Sequence, residues 1–231
     1  MAATELSFSD LCSDDGARAQ AIILTDGSFE LAVWDFDGVI ADTEPIHRST
    51  YLEMLARRDI KLPADFFNKL IGRNESEIWS ALRQSYRIEE PVDVLRVERN
   101  ELLLSKLSQM FSPNWFVVPL LNLFAGTKAK QIIVSSGSYE LISLLLRRFS
   151  IDKYFDTIYA THYGRSPEMS KDERLRRALG ESASSILIED DPRYLATARE
   201  RGATTIGVVH KLNNLPSEGV DFLINAAGKN V

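Results

Sequence analysis

The chain has 231 residues, 45% of them apolar and 26% charged, enough to bury a sizeable core in one or two domains of an ordinary soluble protein. A net charge of −6 and a pI near 5.2 exclude a general binder of nucleic acid or of anionic membrane, so an anionic ligand needs a local cation or a metal. Cys12 is the single cysteine and cannot form an internal disulfide, in keeping with a reducing, cytoplasmic setting, and no stretch approaches the ~18 apolar residues of a membrane span.

The opening MAATELSFSDLCSDDG is acidic and lacks the basic and apolar regions of a signal peptide; residues 1–30 are expected to form an N-terminal extension. Within it, AIILTDGSFELAVW has the pattern of a hairpin turning at Asp26-Gly27, with segment 21–25 at a sheet edge or in an arm. LAVW at 31–34 is apolar on both faces, the mark of a central strand in a parallel sheet. It runs into DFDGVIADTEP, where Asp35 and Asp37 share one side, Gly38 allows a tight turn, and Asp42-Thr43 can cap a helix starting near Pro45. Carboxylates crowded at the mouth of a buried strand repel one another, so a cation or a proton must sit there.

The next strand signal, KQIIVSSGS, reaches Ser135 100 positions after Asp35, far beyond what a crossover requires. The intervening EPIHRSTYLEMLARR, PADFFNKLIG, NESEIWSALRQSY and PVDVLRVERNELLLSKLSQMF are helical in pattern. Residues 46–112 therefore read as a helical domain inserted into an α/β core of residues 31–45 and 113–231. In the last of these helices Val94, Val97, Leu102, Leu104, Leu107 and Phe111 are expected to form the apolar side. The insertion leaves the carboxyl end of its strand, where ligands of open α/β sheets bind.

In VSSGS, Ser135 and Ser136 offer hydroxyls and Gly137 exposes backbone N–H for an oxyanion. SYELISLLLRRF then places Leu141, Leu144, Leu145 and Phe149 on one helical face, and DTIYAT reads as a strand. SKDE at 170–173 is a capping box that puts Lys171 on a first helical turn, with Leu175, Ala178 and Leu179 towards the core. A cation there gains nothing from the helix dipole, which makes sense if it faces carboxylates and phosphate. The apolar strand SILI ends in Glu189-Asp190-Asp191, PRYLATARERG is a helix closing at Gly202, and TTIGVV and DFLI complete the strands. This alternation defines an α/β protein with a Rossmann-like parallel sheet and an inserted α-helical domain. The two acidic clusters, at the ends of strands that can be neighbours, make a hard-oxygen metal site suited to Mg²⁺.

DFDGVIADTEP, a serine closing a second strand, a lysine, and IEDDPRYLATARERGATTIGV together resemble the haloacid dehalogenase superfamily, over residues ~31–224. The similarity is greatest to its helical-cap phosphatase and β-phosphoglucomutase-like branch. It implies that Asp35 is a nucleophile forming an aspartyl-phosphate and Asp37 a general acid and base whose carbonyl also holds the metal. It further implies that Ser135, Ser136 and Gly137 bind phosphate, Lys171 bridges nucleophile and phosphate, and Glu189 and Asp190 anchor Mg²⁺. No Lys-Pro pair stands in the third motif, and a gap-free alignment back from Glu189 offers Arg165 in place of Lys171. The reaction implied is Mg²⁺-dependent hydrolysis of a small soluble phosphate monoester by a monomer or weak dimer in the cytoplasm, without nucleic-acid or membrane partners. The alternatives are a sugar phosphomutase and, more remotely, a non-catalytic binding protein on the same fold. His47 matches a histidine of the mutases and of many phosphatases in this branch, and is expected to contact substrate with Arg73. Glu75 stands where the mutases place an arginine, which favours hydrolysis.

Overall fold

The computed structural model describes residues 2–12, 23–24, 29–63, 66–67, 75–162, 169–180, 182, 184–213 and 215–227. The chain divides into two compact units, Met1–Asp42 with Phe111–Val231, and Thr43–Met110. Among the described residues the strands are β1 (Thr4–Leu6), β2 (Leu31–Trp34), β3 (Lys130–Ser138), β4 (Thr157–Thr161), β5 (Ser185–Glu189), β6 (Thr204–Val209) and β7 (Phe222–Asn225). The helices are α1 (Phe8–Leu11), α2 (Glu44–Ala56), α3 (Glu75–Tyr86), α4 (Val92–Leu107), α5 (Val117–Gly126), α6 (Tyr139–Arg148), α7 (Lys171–Gly180) and α8 (Pro192–Glu200).

In the first unit all seven strands form one sheet in the order β1-β7-β6-β5-β2-β3-β4, and every neighbouring pair is parallel. The central strand β2 is buried along its whole length, as its unbroken apolar run requires. Leu31 and Val33 face one layer, packed with Val134, Leu187, Leu175 and Leu179 of α7, and Leu195 of α8. Each such side chain contributes ~1.5–3 kcal/mol by leaving water. Trp34 faces the other way and meets Phe124 of α5 edge-on at 6.0 Å between ring centroids. Its indole N–H donates to Gln131 Oε1 at 3.2 Å, so the one polar atom of the ring is satisfied in the interior.

Several local expectations need correction. Residues 4–6, placed in an N-terminal extension, instead form edge strand β1 beside β7; three residues with only Leu6 buried give no readable periodicity. The hairpin turn at Asp26-Gly27 and residues 21, 22 and 25 of the segment before it lie outside the described residues. The buried stripe of α6 starts one residue later than expected: Ile142, Leu145 and Leu146 are buried, with Phe149 just beyond, while Leu141 and Leu144 are half-buried. Gly202 has φ +77°, the left-handed conformation expected after α8.

The second unit consists of α2, α3 and α4 around a core of Tyr51, Met54, Leu55, Trp79, Leu82, Ile88 and Leu95. Most of the expected helix PADFFNKLIG lies outside the described residues. At the start of α2 the cap expected from Asp42-Thr43 is not made: Thr43 is the N-cap residue but has helical φ/ψ and no side-chain cap bond. Pro45 also removes the N–H that a cap would accept from at that position. The face of α4 differs more. Leu95, Arg99, Leu103 and Leu107, spaced by four, are buried, whereas Val94, Val97, Leu104 and Phe111 are exposed. A spacing of three and seven also generates a stripe, and sequence alone does not say which stripe has a partner.

This register has a direct test. Leu95 is 1% exposed and its neighbour Val94 is 54% exposed. Leu95→Ala should cost ~2–5 kcal/mol and Val94→Ala less than ~0.5 kcal/mol in urea unfolding of the full chain; equal losses would refute the assignment.

Candidate active site

The parallel register creates the site. Trp34 lies opposite Ile188 of β5 and Ile133 of β3, so Asp35, Glu189 and Ser135 follow at the carboxyl ends of three adjacent strands. The Asp35 N–H donates to the Ile188 carbonyl at 2.9 Å, extending the ladder one residue beyond β2. Gly38 has φ +81°, and its N–H closes a turn on Ala41 O at 2.8 Å. Asn114 braces this loop: its side-chain amide donates to Val39 O at 2.8 Å and its backbone N–H to Ile40 O at 2.9 Å.

Lys171 enters from α7, whose capping box is formed as expected: Ser170 N–H donates to Glu173 Oε2 at 2.7 Å, and Glu173 N–H to Ser170 Oγ at 3.2 Å. With Leu175 and Leu179 locked into the core, the first turn directs Lys171 inward. Its Nζ lies 2.8 Å from Asp35 Oδ1 and 2.8 Å from Glu189 Oε2. The Tyr194 ring lies 4.4 Å from Nζ, a cation–π contact. Arg165, the competing candidate, and Arg73 lie outside the described residues.

Ser135 is buried, and Ser136 is exposed. One expectation fails in detail: the Gly137 N–H is not left open but donates to Ser135 Oγ at 3.0 Å, a local serine turn. Thr161 Oγ1 donates to Gly137 O at 2.7 Å and Arg174 to Ser135 O at 3.0 Å, so this loop is tied by side chains that no motif singled out. Gly137 also leaves room for the acid of the first motif, since a Cβ there would lie 3.0 Å from Asp37 Oδ2. His47 belongs to the second unit, where its Nδ1 lies 2.6 Å from Arg99 Nη2. Arg99 in turn stacks over Tyr51 and pairs with Glu75 Oε1 at 3.5 Å, which also accepts from Trp79 at 3.2 Å.

Burial dominates the electrostatics. It pushes the Asp35 carboxyl up to about 6; Lys171 opposes this and Asp190 and Asp37 add to it. Burial and the Asp35 charge likewise hold Glu189 well above the ordinary carboxylate range. Burial disfavours the Lys171 ammonium, but Asp35 and Glu189 outweigh it and raise its pKa, so the cation persists. Oxygens of Asp35, Glu189 and Asp190 lie within 4.8 Å of one another, the one such cluster among the described residues. Glu189 Oε2, although near Lys171 Nζ, is buried without a hydrogen bond of proper direction. Three converging hard carboxylate oxygens fit a divalent cation of the Mg²⁺ type.

A doubly wound parallel sheet with a carboxylate cluster and one buried lysine at the ends of its central strands is the core of an α/β enzyme. The chain belongs to the haloacid dehalogenase-like hydrolase family, whose model matches residues 32–208. It is similar to a phosphorylated carbohydrates phosphatase of Thermotoga maritima, 23% identical over 192 residues that cover 80% of this chain and 88% of that protein. The fructose-1-phosphate phosphatase YqaB of Escherichia coli is 24% identical over 181 residues, covering 76% of this chain and 94% of the relative. The crystal structure of β-phosphoglucomutase from Clostridium difficile shares the fold with a TM-score of 0.66 and 18% identity, over 85% of this chain and 91% of that one. No helix among the described residues is long and apolar enough to cross a membrane.

Removing the cation should expose the repulsion it offsets. An acid with a raised folded pKa is destabilising once ionised, so its contribution to stability is lost as pH rises through about 6. In EDTA, Lys171→Met should lower the unfolding free energy by ~3–5 kcal/mol near pH 7.5 and by less near pH 5, where Asp35 holds its proton. A deficit that does not change with pH would contradict this account.

Proposed function

We propose that the protein is a Mg²⁺-dependent phosphatase of small phosphorylated sugars that works through an aspartyl-phosphate on Asp35. The observation that carries this reading is Asp35 itself: a buried carboxylate at the end of the central strand, with Lys171 Nζ at 2.8 Å and a second aspartate two residues on. The names of the two phosphatase relatives supply the sugar-phosphate class.

Asp35 attacks phosphorus as the bond to the sugar oxygen breaks, and Asp37 gives that oxygen a proton. Asp37 then takes a proton from water as the water oxygen attacks phosphorus and the bond to Asp35 breaks. Lys171 keeps Asp35 oriented and balances charge gathering on the phosphoryl oxygens. Ser135 presents a hydroxyl to those oxygens, its Oγ already fixed by the Gly137 N–H. Asp35, the Asp37 carbonyl, Glu189 and Asp190 would hold Mg²⁺, which when bound supplies positive charge against carboxylate–phosphate repulsion. Hydrolysis is favoured over phosphomutase chemistry because Glu75, at the position where an arginine clamp is expected, is a carboxylate bonded to Trp79 and paired with Arg99.

A screen of phosphorylated sugars with Mg²⁺, scoring released phosphate against isomerised product, tests the reading. Phosphate release is expected, and isomerisation without release would make the protein a mutase. Asp35→Asn should abolish turnover, and Lys171→Met should lower kcat/KM by at least about thirtyfold, or ~2 kcal/mol. Full activity of Asp35→Asn would end the covalent mechanism.

A proton competes with the metal for Asp35. With its carboxyl near 6, apparent Mg²⁺ affinity should fall about tenfold between pH 7.5 and pH 5 in calorimetric titrations. Affinity constant over that range would show that Asp35 is not a ligand.

A further inference from the structure

We infer that His210 and Asn213, in the loop after β6, are positioning residues that orient Asp190 for metal binding. The inference rests on the metal reading above but concerns residues outside every motif of the site. His210 Nε2 lies 2.8 Å from Asp190 Oδ2. The other ring nitrogen, Nδ1, accepts the Leu212 N–H at 3.2 Å. A nitrogen that accepts carries no proton, so the ring is the Nε2–H tautomer and donates to the carboxylate. The bond occupies Oδ2 of the carboxylate that also contributes an oxygen to the cluster with Asp35 and Glu189.

Asn213 fixes the rest of the geometry. Its amide N–H groups donate to Asp190 O at 3.0 Å and to Val208 O at 2.8 Å, and its Oδ1 accepts the His210 N–H at 2.9 Å. One side chain thus ties the backbone of Asp190, the end of β6 and the residue that grips the Asp190 carboxylate. From the opposite side, the turn after Asp37 closes on the same pair. A Cβ at Gly38 would lie 2.6 Å from Asp190 Oδ2 and 3.1 Å from His210 Nε2. Asp190 is therefore held through its carbonyl and one carboxylate oxygen, with Gly38 leaving just enough room. Asp190 stands close enough to Asp35 and Glu189 to repel both, so its orientation needs a partner on the far side. Outer partners of this kind set the orientation of ligating carboxylates, and their loss typically weakens metal binding by about 10–100-fold.

The test is Mn²⁺ binding to the full-length protein, read by electron paramagnetic resonance of free ion, for wild type, His210→Ala and His210→Gln. His210→Ala should bind about 10–100-fold more weakly, and His210→Gln, whose amide can donate to Asp190, should recover most of the loss. In turnover with Mg²⁺ the half-saturating metal concentration should rise for His210→Ala while kcat at saturating Mg²⁺ changes little. Wild-type affinity in His210→Ala, or a glutamine as weak as the alanine, would overturn the inference. Absence of Mn²⁺ binding by wild type would overturn the metal reading first and this one with it. Should His210→Ala fail to fold, the ¹⁵N spectrum of wild-type His210 decides: an Nε2–H tautomer is expected, and an Nδ1–H tautomer refutes the bond to Asp190.

Discussion

The chemistry of this protein hangs on one buried ammonium. Lys171 Nζ sits between Asp35 and Glu189 at 2.8 Å from each, with an aromatic face on a third side. None of these three charges is tolerable there alone, because an unpaired charge in the interior costs several kcal/mol. The lysine makes the two carboxylates compatible with folding, and they in turn keep it charged. The arrangement is self-consistent but not neutral. Asp190 and Asp37 add negative charge at the rim, beyond what the single lysine offsets.

Everything that places Lys171 is ordinary structural economy. The Ser170–Glu173 box fixes where α7 starts, Leu175 and Leu179 fix its rotation, and the first turn can then point only at the ends of β2 and β5. The sheet does the same for the acids. In-register parallel strands deliver Asp35 and Glu189 side by side, because Leu31 to Trp34 pair with Ser185 to Ile188 without a slip. A slip of one strand by one residue would turn its carboxylate to the other face and separate the pair.

The parts of the fold written in long apolar runs were legible beforehand: LAVW, KQIIVSS, SILIED and TTIGVV each became a strand of the sheet, and their parallel direction followed from the alternation with helices. So were the box before Lys171 and the acids at the ends of β2 and β5, since these lie within a few residues of the elements that carry them. What sequence could not supply was anything fixed by distant packing. Strand β1 is too short to have a period, and α4 has two plausible apolar stripes. Tyr194, Arg174, Asn114 and His210 act across gaps of many residues. Each of these is a contact, and a contact has no local spelling.

The strand order also sets a timetable. Leu31 pairs with Lys130 on one side and Ser185 on the other, and Thr4 of β1 with Phe222 of β7. A ribosome adding ~5–20 residues per second leaves LAVW without its β5 partner for roughly 8–30 s, and β1 waits longer still. During that interval a fully apolar strand is a segment prone to pair with the wrong neighbour. Asp35 and Asp37, directly at its end, bring negative charge to the place where a foreign strand would extend the ladder. Charges placed next to an apolar strand are of the kind that lower its tendency to aggregate while it is unpaired.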